Sequence, residues 1–161
     1  MTDTVSVPPS SISADKVTAV AQFLGPIVTD LTALSVDGKQ AHWHVRGANF
    51  QAVHELLDTV VDHAREWADT AAERVVALGL PLDVRITTVA SKTTTPKMTA
   101  GFQRSDAVIA EIIAEIDATL VTVRTAIDEL GELDAASQDV AIEIARGLEK
   151  DRWFLFAHIA I

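Results

Sequence analysis

The residues from Asn49 to Leu78 constrain this chain more than any others. Apolar side chains recur there as Val53, Leu56, Leu57, Val60, Val61, Ala64, Ala68, Ala71, Ala72, Val75 and Val76. That is the rhythm of a long helix with one buried stripe. Asn49 is a residue type favoured at N-caps, and Gly79 with Pro81 beyond it marks a stop. On this helix His54, Asp58, Asp69 and Glu73 fall within one sector about 100° wide. Along the axis they separate into two pairs, each four residues apart and so on one face. Asp58 and Asp69 are 11 residues apart, roughly 16 Å of helix, so one metal ion cannot reach both pairs. The pairs are mirrored about residues 63 and 64. Two antiparallel copies crossing there would set His54 of one against Glu73 of the other, and Asp58 against Asp69. The spacing therefore predicts a two-fold dimer with two identical sites, isologous contact being the commonest oligomer symmetry. Each pair alone reads as a solvated acidic face. The two together, with His42 on the preceding helix, read as ligands, and imidazole mixed with carboxylate suits iron or another divalent first-row metal.

Composition narrows the class. At 161 residues and 48% hydrophobic, the chain is long enough for a real core and too apolar for wholesale disorder. Without Cys it has no disulfide framework, thiolate metal site or Cys nucleophile. The opening M-T-D-T-V-S-V-P-P-S lacks the basic and apolar regions of a signal peptide, and no apolar run reads as a membrane span, so a cytoplasmic protein is expected. The formal net charge of −10 argues against a general nucleic-acid surface and suits a container for cations.

Residues 1–13 read as a flexible Ser/Thr/Pro-rich tail and 14–161 as one all-α domain. The first helix runs from about Ala14 to Val45, with Val17, Val20, Leu24, Val28, Leu31, Ser35, Gly38, His42 and Val45 inward. Gly25-Pro26 either kinks or breaks it. A long link from Gly79 to Gly101 has room for a short helix around Ile86 to Ser91. A third long helix from about Gln103 to Leu130 sets Ile112 and Ile116 inward and Glu111, Glu115 and Asp117 on its solvent face. A fourth starts near Ala135, carries Ile144, Leu148 and Phe154-Leu155 inward, and reaches Ile161. Such a chain is a four-helix bundle whose long crossover joins parallel helices.

Lys39-Gln40-Ala41-His42-Trp43, Arg46-Gly47-Ala48-Asn49-Phe50, His54-Glu55 with Asp58, and Asp69 with Ala72-Glu73-Arg74 together resemble the signature of the Dps proteins, small relatives of ferritin that take their name from DNA binding in starved cells. The resemblance covers about Val17 to Phe156. It implies a ferritin-like four-helix bundle in a hollow dodecamer. It also implies ferroxidase centres at two-fold interfaces, with His42, His54 and Asp58 from one subunit and Asp69 and Glu73 from its neighbour. Iron is then the metal, hydrogen peroxide the preferred oxidant over oxygen, and storage of Fe(III) mineral with protection from oxidative damage the role. Asp134, Asp139 and Glu143 become candidates for an acidic iron route at the three-fold axes. Many Dps proteins bind DNA through a basic tail. Here the first basic residue is Lys16, which argues against that route. Two other readings remain open. The same metal site could activate water for amide or ester hydrolysis, or the cage could coat DNA without chemistry.

Overall fold

A computed structural model of the chain describes residues 7 and 9–159. Among them lie five helices and one two-stranded bridge: α1 (Ala14–His44), β1 (Val45–Arg46), α2 (Phe50–Ala77), α3 (Ile86–Lys92), β2 (Gln103–Arg104), α4 (Ser105–Leu130) and α5 (Ala135–Ala157). The four long helices form the bundle. α1 packs mainly on α2 and α4, and α5 on α4 and α2. Leu24, Ile27, Leu31, Leu57, Ile112, Ile116, Ile144 and Leu148 are fully buried at its centre. The expected tail lies largely outside the described residues, as do the last two residues of the expected fourth helix.

α1 does not break at Gly25-Pro26: it is one helix of 31 residues with Pro26 inside it, the proline ring on the exposed side. Further along, α1 and α2 come very close. A Cβ on Gly38 would lie 2.7 Å from Val61 Cγ2, so the bare glycine sets the spacing of the hairpin that carries the site. α2 stops as expected. Gly79 takes a φ of 95°, its N–H donates to the Val76 carbonyl, and the Leu80 N–H donates to that of Val75. This closes the helix end in a Schellman motif.

Four expectations need correction. Asn49 occupies the cap position of α2, but its side chain makes no capping bond. Val45 and Gln103–Arg104, expected at helix ends, are not helical; Val45–Arg46 pairs with Gln103–Arg104 as parallel strands, Val45 opposite Gln103. A two-residue bridge is too short to leave a periodic signal, yet it sets the starts of α2 and α4 side by side. Of the outward residues expected on α4, Glu115 is 1% exposed. Val76 and Phe154, expected inside, are 58% and 40% exposed, while Leu155 is buried.

Among the described residues α1 alone is long and apolar enough to cross a membrane. Its apolar side chains are used in the bundle core, and it carries the buried Asp30. That carboxylate anchors the crossover. Oδ1 accepts the Thr93 hydroxyl (2.9 Å) and the Thr94 N–H (2.8 Å). Oδ2 accepts the hydroxyls of Thr94 (2.7 Å) and Thr122 (2.8 Å). One side chain of α1 thus holds the link just after α3 and fastens it to α4. Asp30→Ala leaves these donors unpaired, and hydrogen bonds to a buried charge contribute about 1.5–3 kcal/mol each. We expect a loss of about 2–4 kcal/mol, read as a lower denaturant midpoint in equilibrium unfolding.

Candidate metal centre

The site begins where α1 ends and α2 starts. The His42 and His54 rings stack with centroids 3.5 Å apart and exchange hydrogen bonds with each other's backbone. His42 Nδ1 donates to the His54 carbonyl at 2.8 Å, and His54 Nδ1 to the His42 carbonyl at 2.8 Å. A carbonyl can only accept, so each ring carries its proton on Nδ1 and keeps a free lone pair on Nε2. This is how a ligating imidazole is oriented and its tautomer fixed. His42 is buried; His54 is half-buried, with the Phe50 ring 5.0 Å from its own.

Asp58, one turn beyond His54, places Oδ1 3.3 Å from His42 Nδ1. Lys39 Nζ lies 2.5 Å from the same oxygen. The lysine's hydrogen bond holds the Asp58 carboxyl below its ordinary pKa, helped by the neighbouring histidines and the lysine charge. Lys39 was missed as a participant in the sequence. Its signal was its place three residues before His42, on the same face of α1. Trp43 is 59% exposed, with Lys39 Nζ 5.9 Å from its ring centre.

The fold brings His42, His54 and Asp58 together. Asp69 and Glu73 lie exposed further along α2, roughly 16 Å or more from Asp58 at 1.5 Å per residue. Among the described residues, no three acidic or imidazole side chains of one chain stand ready to enclose an ion. The chain therefore presents three of the expected ligands at one end of a helix face and two at the other.

His44, His63, Arg65 and Asp134 have local partners. His44 Nδ1 donates to the Gln40 carbonyl at 2.8 Å. His63 Nδ1 reaches both carboxylate oxygens of buried Asp151, at 3.0 and 2.9 Å. Arg65 lies 3.9 Å from Asp62 of its own helix. Asp134 is the N-cap of α5: Oδ2 accepts the Ser137 N–H at 3.0 Å and Arg74 Nη2 at 2.6 Å. Burial pulls its pKa up, but these bonds outweigh it and hold the carboxyl low. Asp139 and Glu143 are exposed on α5.

The fold and this helix-end arrangement define a class. The Ferritin family model, described as a ferritin-like domain, matches residues 22–161. A solved structure of Dps from Microbacterium arborescens, described as in the high iron form, superposes with a TM-score of 0.92 at 56% identity, covering 96% of this chain and 100% of that one. The DNA protection during starvation protein of Mycolicibacterium smegmatis is 31% identical over 92% of this chain and 81% of its own length. The fine tangled pili major subunit of Haemophilus ducreyi is 31% identical over 87% and 74%. Within the ferritin-like class, this chain belongs to the Dps family.

The Lys39–Asp58 contact yields a test. Lys39→Met removes the cation held on Asp58 Oδ1, a candidate ligand oxygen. A half-exposed ion pair contributes at most about 1 kcal/mol, or roughly a fivefold effect on binding. The expected outcome is a severalfold lower Fe(II) concentration at half-maximal initial rate of Fe(III) formation.

Proposed function

We propose that this protein oxidises Fe(II) and stores the product as Fe(III) mineral inside a homo-oligomeric cage, a dodecamer by family resemblance, in the cytoplasm. A ferritin-like iron-storage and protective role accords with family membership. The observation that carries the finer reading is the reciprocal His42–His54 exchange. It leaves the Nε2 lone pair of each ring free, with Asp58 Oδ1 3.3 Å from His42 Nδ1, a half-site that needs further oxygen donors. Asp69 and Glu73 of a second chain complete it if a two-fold axis crosses α2 near residue 63 or 64. His42 and His54 are then borderline nitrogen donors that capture Fe(II). Asp58 and Glu73 are hard oxygen donors that tolerate both oxidation states. Asp69 binds directly or orients another ligand.

Iron here is substrate. Two Fe(II) ions give one electron each to hydrogen peroxide; its O–O bond breaks, and both oxygens leave as water or enter the ferric oxyhydroxide. Hydrolysis of the ferric ions releases protons. A two-electron oxidant used this way generates no hydroxyl radical. Purified protein given Fe(II) with peroxide or with oxygen should form Fe(III) faster with peroxide. No formation with either, in protein of dodecameric mass by light scattering, defeats the proposal.

Sharing of the site has its own consequence. A His54→Ala, Asp58→Ala chain and a Glu73→Ala chain should each be inactive alone. In a mixed dimer both lesions fall in one site and leave the other intact. Co-assembled cages should therefore recover activity, up to half the native sites within mixed dimers, whereas a site confined to one chain recovers none. Initial Fe(III) formation, in cages shown by mass spectrometry to be mixed, decides between them.

At a net charge of −10, DNA binding should be weak or bridged by cations. In a gel shift at physiological salt without divalent metal, duplex DNA should run free. Tight retention would show that the charge argument fails.

A further inference from the structure

The β1–β2 bridge sets two arginines side by side. Its register places Arg46 opposite Arg104, on strands about 4.8 Å apart. Both are exposed, whereas Val45 beside them is buried, so the two guanidiniums leave the bridge on its outer face. Like charges directly opposite on paired strands repel. Asp106 balances only one of them: its two oxygens accept Arg104 Nε and Nη2, both at 3.1 Å. Arg46 is absent from the arginine–carboxylate pairs of the described residues. Its Nη1 donates to the carbonyls of Trp43 (3.2 Å) and Val45 (2.6 Å), and its guanidinium carbon lies 4.1 Å from the centre of the Phe102 ring. Neutral carbonyls and a ring fix this side chain without neutralising it, in a chain whose net charge is −10.

The two arginines open onto one cleft of about 570 Å³. Arg46 and Asn49 line it from the turn into α2, Arg104, Ser105 and Asp106 from the start of α4, and His158 from the end of α5. Turn and helix face each other closely, since a Cβ on Gly47 would stand 3.7 Å from Ser105 Oγ. Asn49 makes no capping bond, so its amide is not spent on α2. Asp106 is the one acidic side chain in the lining. Against it stand two guanidiniums, an amide, a hydroxyl and an imidazole, a set that selects an anion. Guanidinium forks match oxyanions that present several oxygens, phosphate above all. The overall negative charge repels a polyanion such as nucleic acid, which leaves a small one.

We propose that this cleft binds a free phosphate group, inorganic or on a small monoester, between Arg46 and Arg104. Arg46 supplies the uncompensated charge, Arg104 the donors that Asp106 leaves, and Asn49 and Ser105 neutral hydrogen bonds. The anion relieves the repulsion across the bridge and clasps the α1–α2 turn to the start of α4. None of the candidate metal ligands takes part, so binding is independent of iron oxidation.

The test is calorimetric titration of assembled, iron-free, full-length protein with inorganic phosphate at neutral pH and low salt. Dimethyl phosphate, a singly charged diester like a nucleic-acid linkage, is the second probe. We expect one phosphate per chain and binding of the diester about tenfold weaker or worse. Arg46→Gln removes charge-assisted bonds and should weaken phosphate about tenfold or more, with an unchanged circular dichroism melt to verify the fold. Asp106→Asn removes the competing carboxylate and releases Arg104, so it should tighten phosphate severalfold, a gain that damage to the fold does not produce. If Arg46→Gln fails to fold, Asp106→Asn decides alone. Absence of saturable binding overturns the proposal, as does a folded Arg46→Gln protein that binds as well as the parent, or an Asp106→Asn protein that binds no tighter. Diester bound as tightly as phosphate also overturns it and assigns the cleft to a nucleic-acid backbone.

Discussion

The close approach of α1 and α2 governs most of what this molecule can do. Gly38 permits it, since any side chain there would strike Val61. The two imidazole–carbonyl bonds secure it at the far end. Neither feature suffices alone. Without the close spacing the rings could not stack at 3.5 Å, and without the carbonyls each imidazole could take either tautomer. The backbone oxygens involved belong to the two histidines themselves, so moving either one disturbs both. That coupling makes the pair a rigid unit, and rigidity in the immediate ligands is what a metal site needs.

The rest of the fold keeps this hairpin in register with the second one. Only a crossover can connect parallel helices in a bundle, and here it is held at two places. Asp30 fastens it in mid-course, and the bridge of Val45–Arg46 with Gln103–Arg104 fastens its end beside the start of α2. α5 of the second hairpin packs just as tightly on α2. A Cβ on Gly147 would lie 2.0 Å from Trp67, whose ring stands 5.2 Å from that of His63. His63 in turn is bound to buried Asp151. Burial raises the Asp151 pKa and the histidine opposes the rise, so α2 and α5 are joined by a polar contact inside an otherwise apolar seam.

The long helices were legible because their apolar stripes repeat over many turns, and the stop at Gly79 because only glycine is comfortable at a φ of 95°. The clustering of His42, His54 and Asp58 was legible because helical spacing plus one tight turn fixes it. What escaped notice depends on pairings remote in sequence. Asp30 looks like any helix carboxylate until Thr122, 92 residues away, is brought to it. Glu115 follows the same rule in reverse. Its neighbours Glu111 and Asp117 suggest a charged outer face, but α4 turns Glu115 toward α1, and nothing local marks that. Phe154 and Val76 were expected inside because hydrophobicity alone was counted, and the single-chain bundle leaves both exposed.

On the proposed reading, Lys39 also joins the site to assembly. A chain without metal must keep Asp58 near two imidazoles with no cation between them, and on the proposed reading must also bring it toward Asp69 and Glu73 of another chain. Three carboxylates meeting at one interface repel, and burial there would strengthen the repulsion by removing water. Lys39 offsets part of it by placing an ammonium on Asp58 Oδ1, where a metal ion would otherwise neutralise the charge. On the proposed reading the lysine is a resident counter-ion that Fe(II) displaces. An ion bound by both chains adds its binding free energy to their association, and one that binds the dimer alone stabilises it by mass action. A weak, half-exposed internal cation suits both demands.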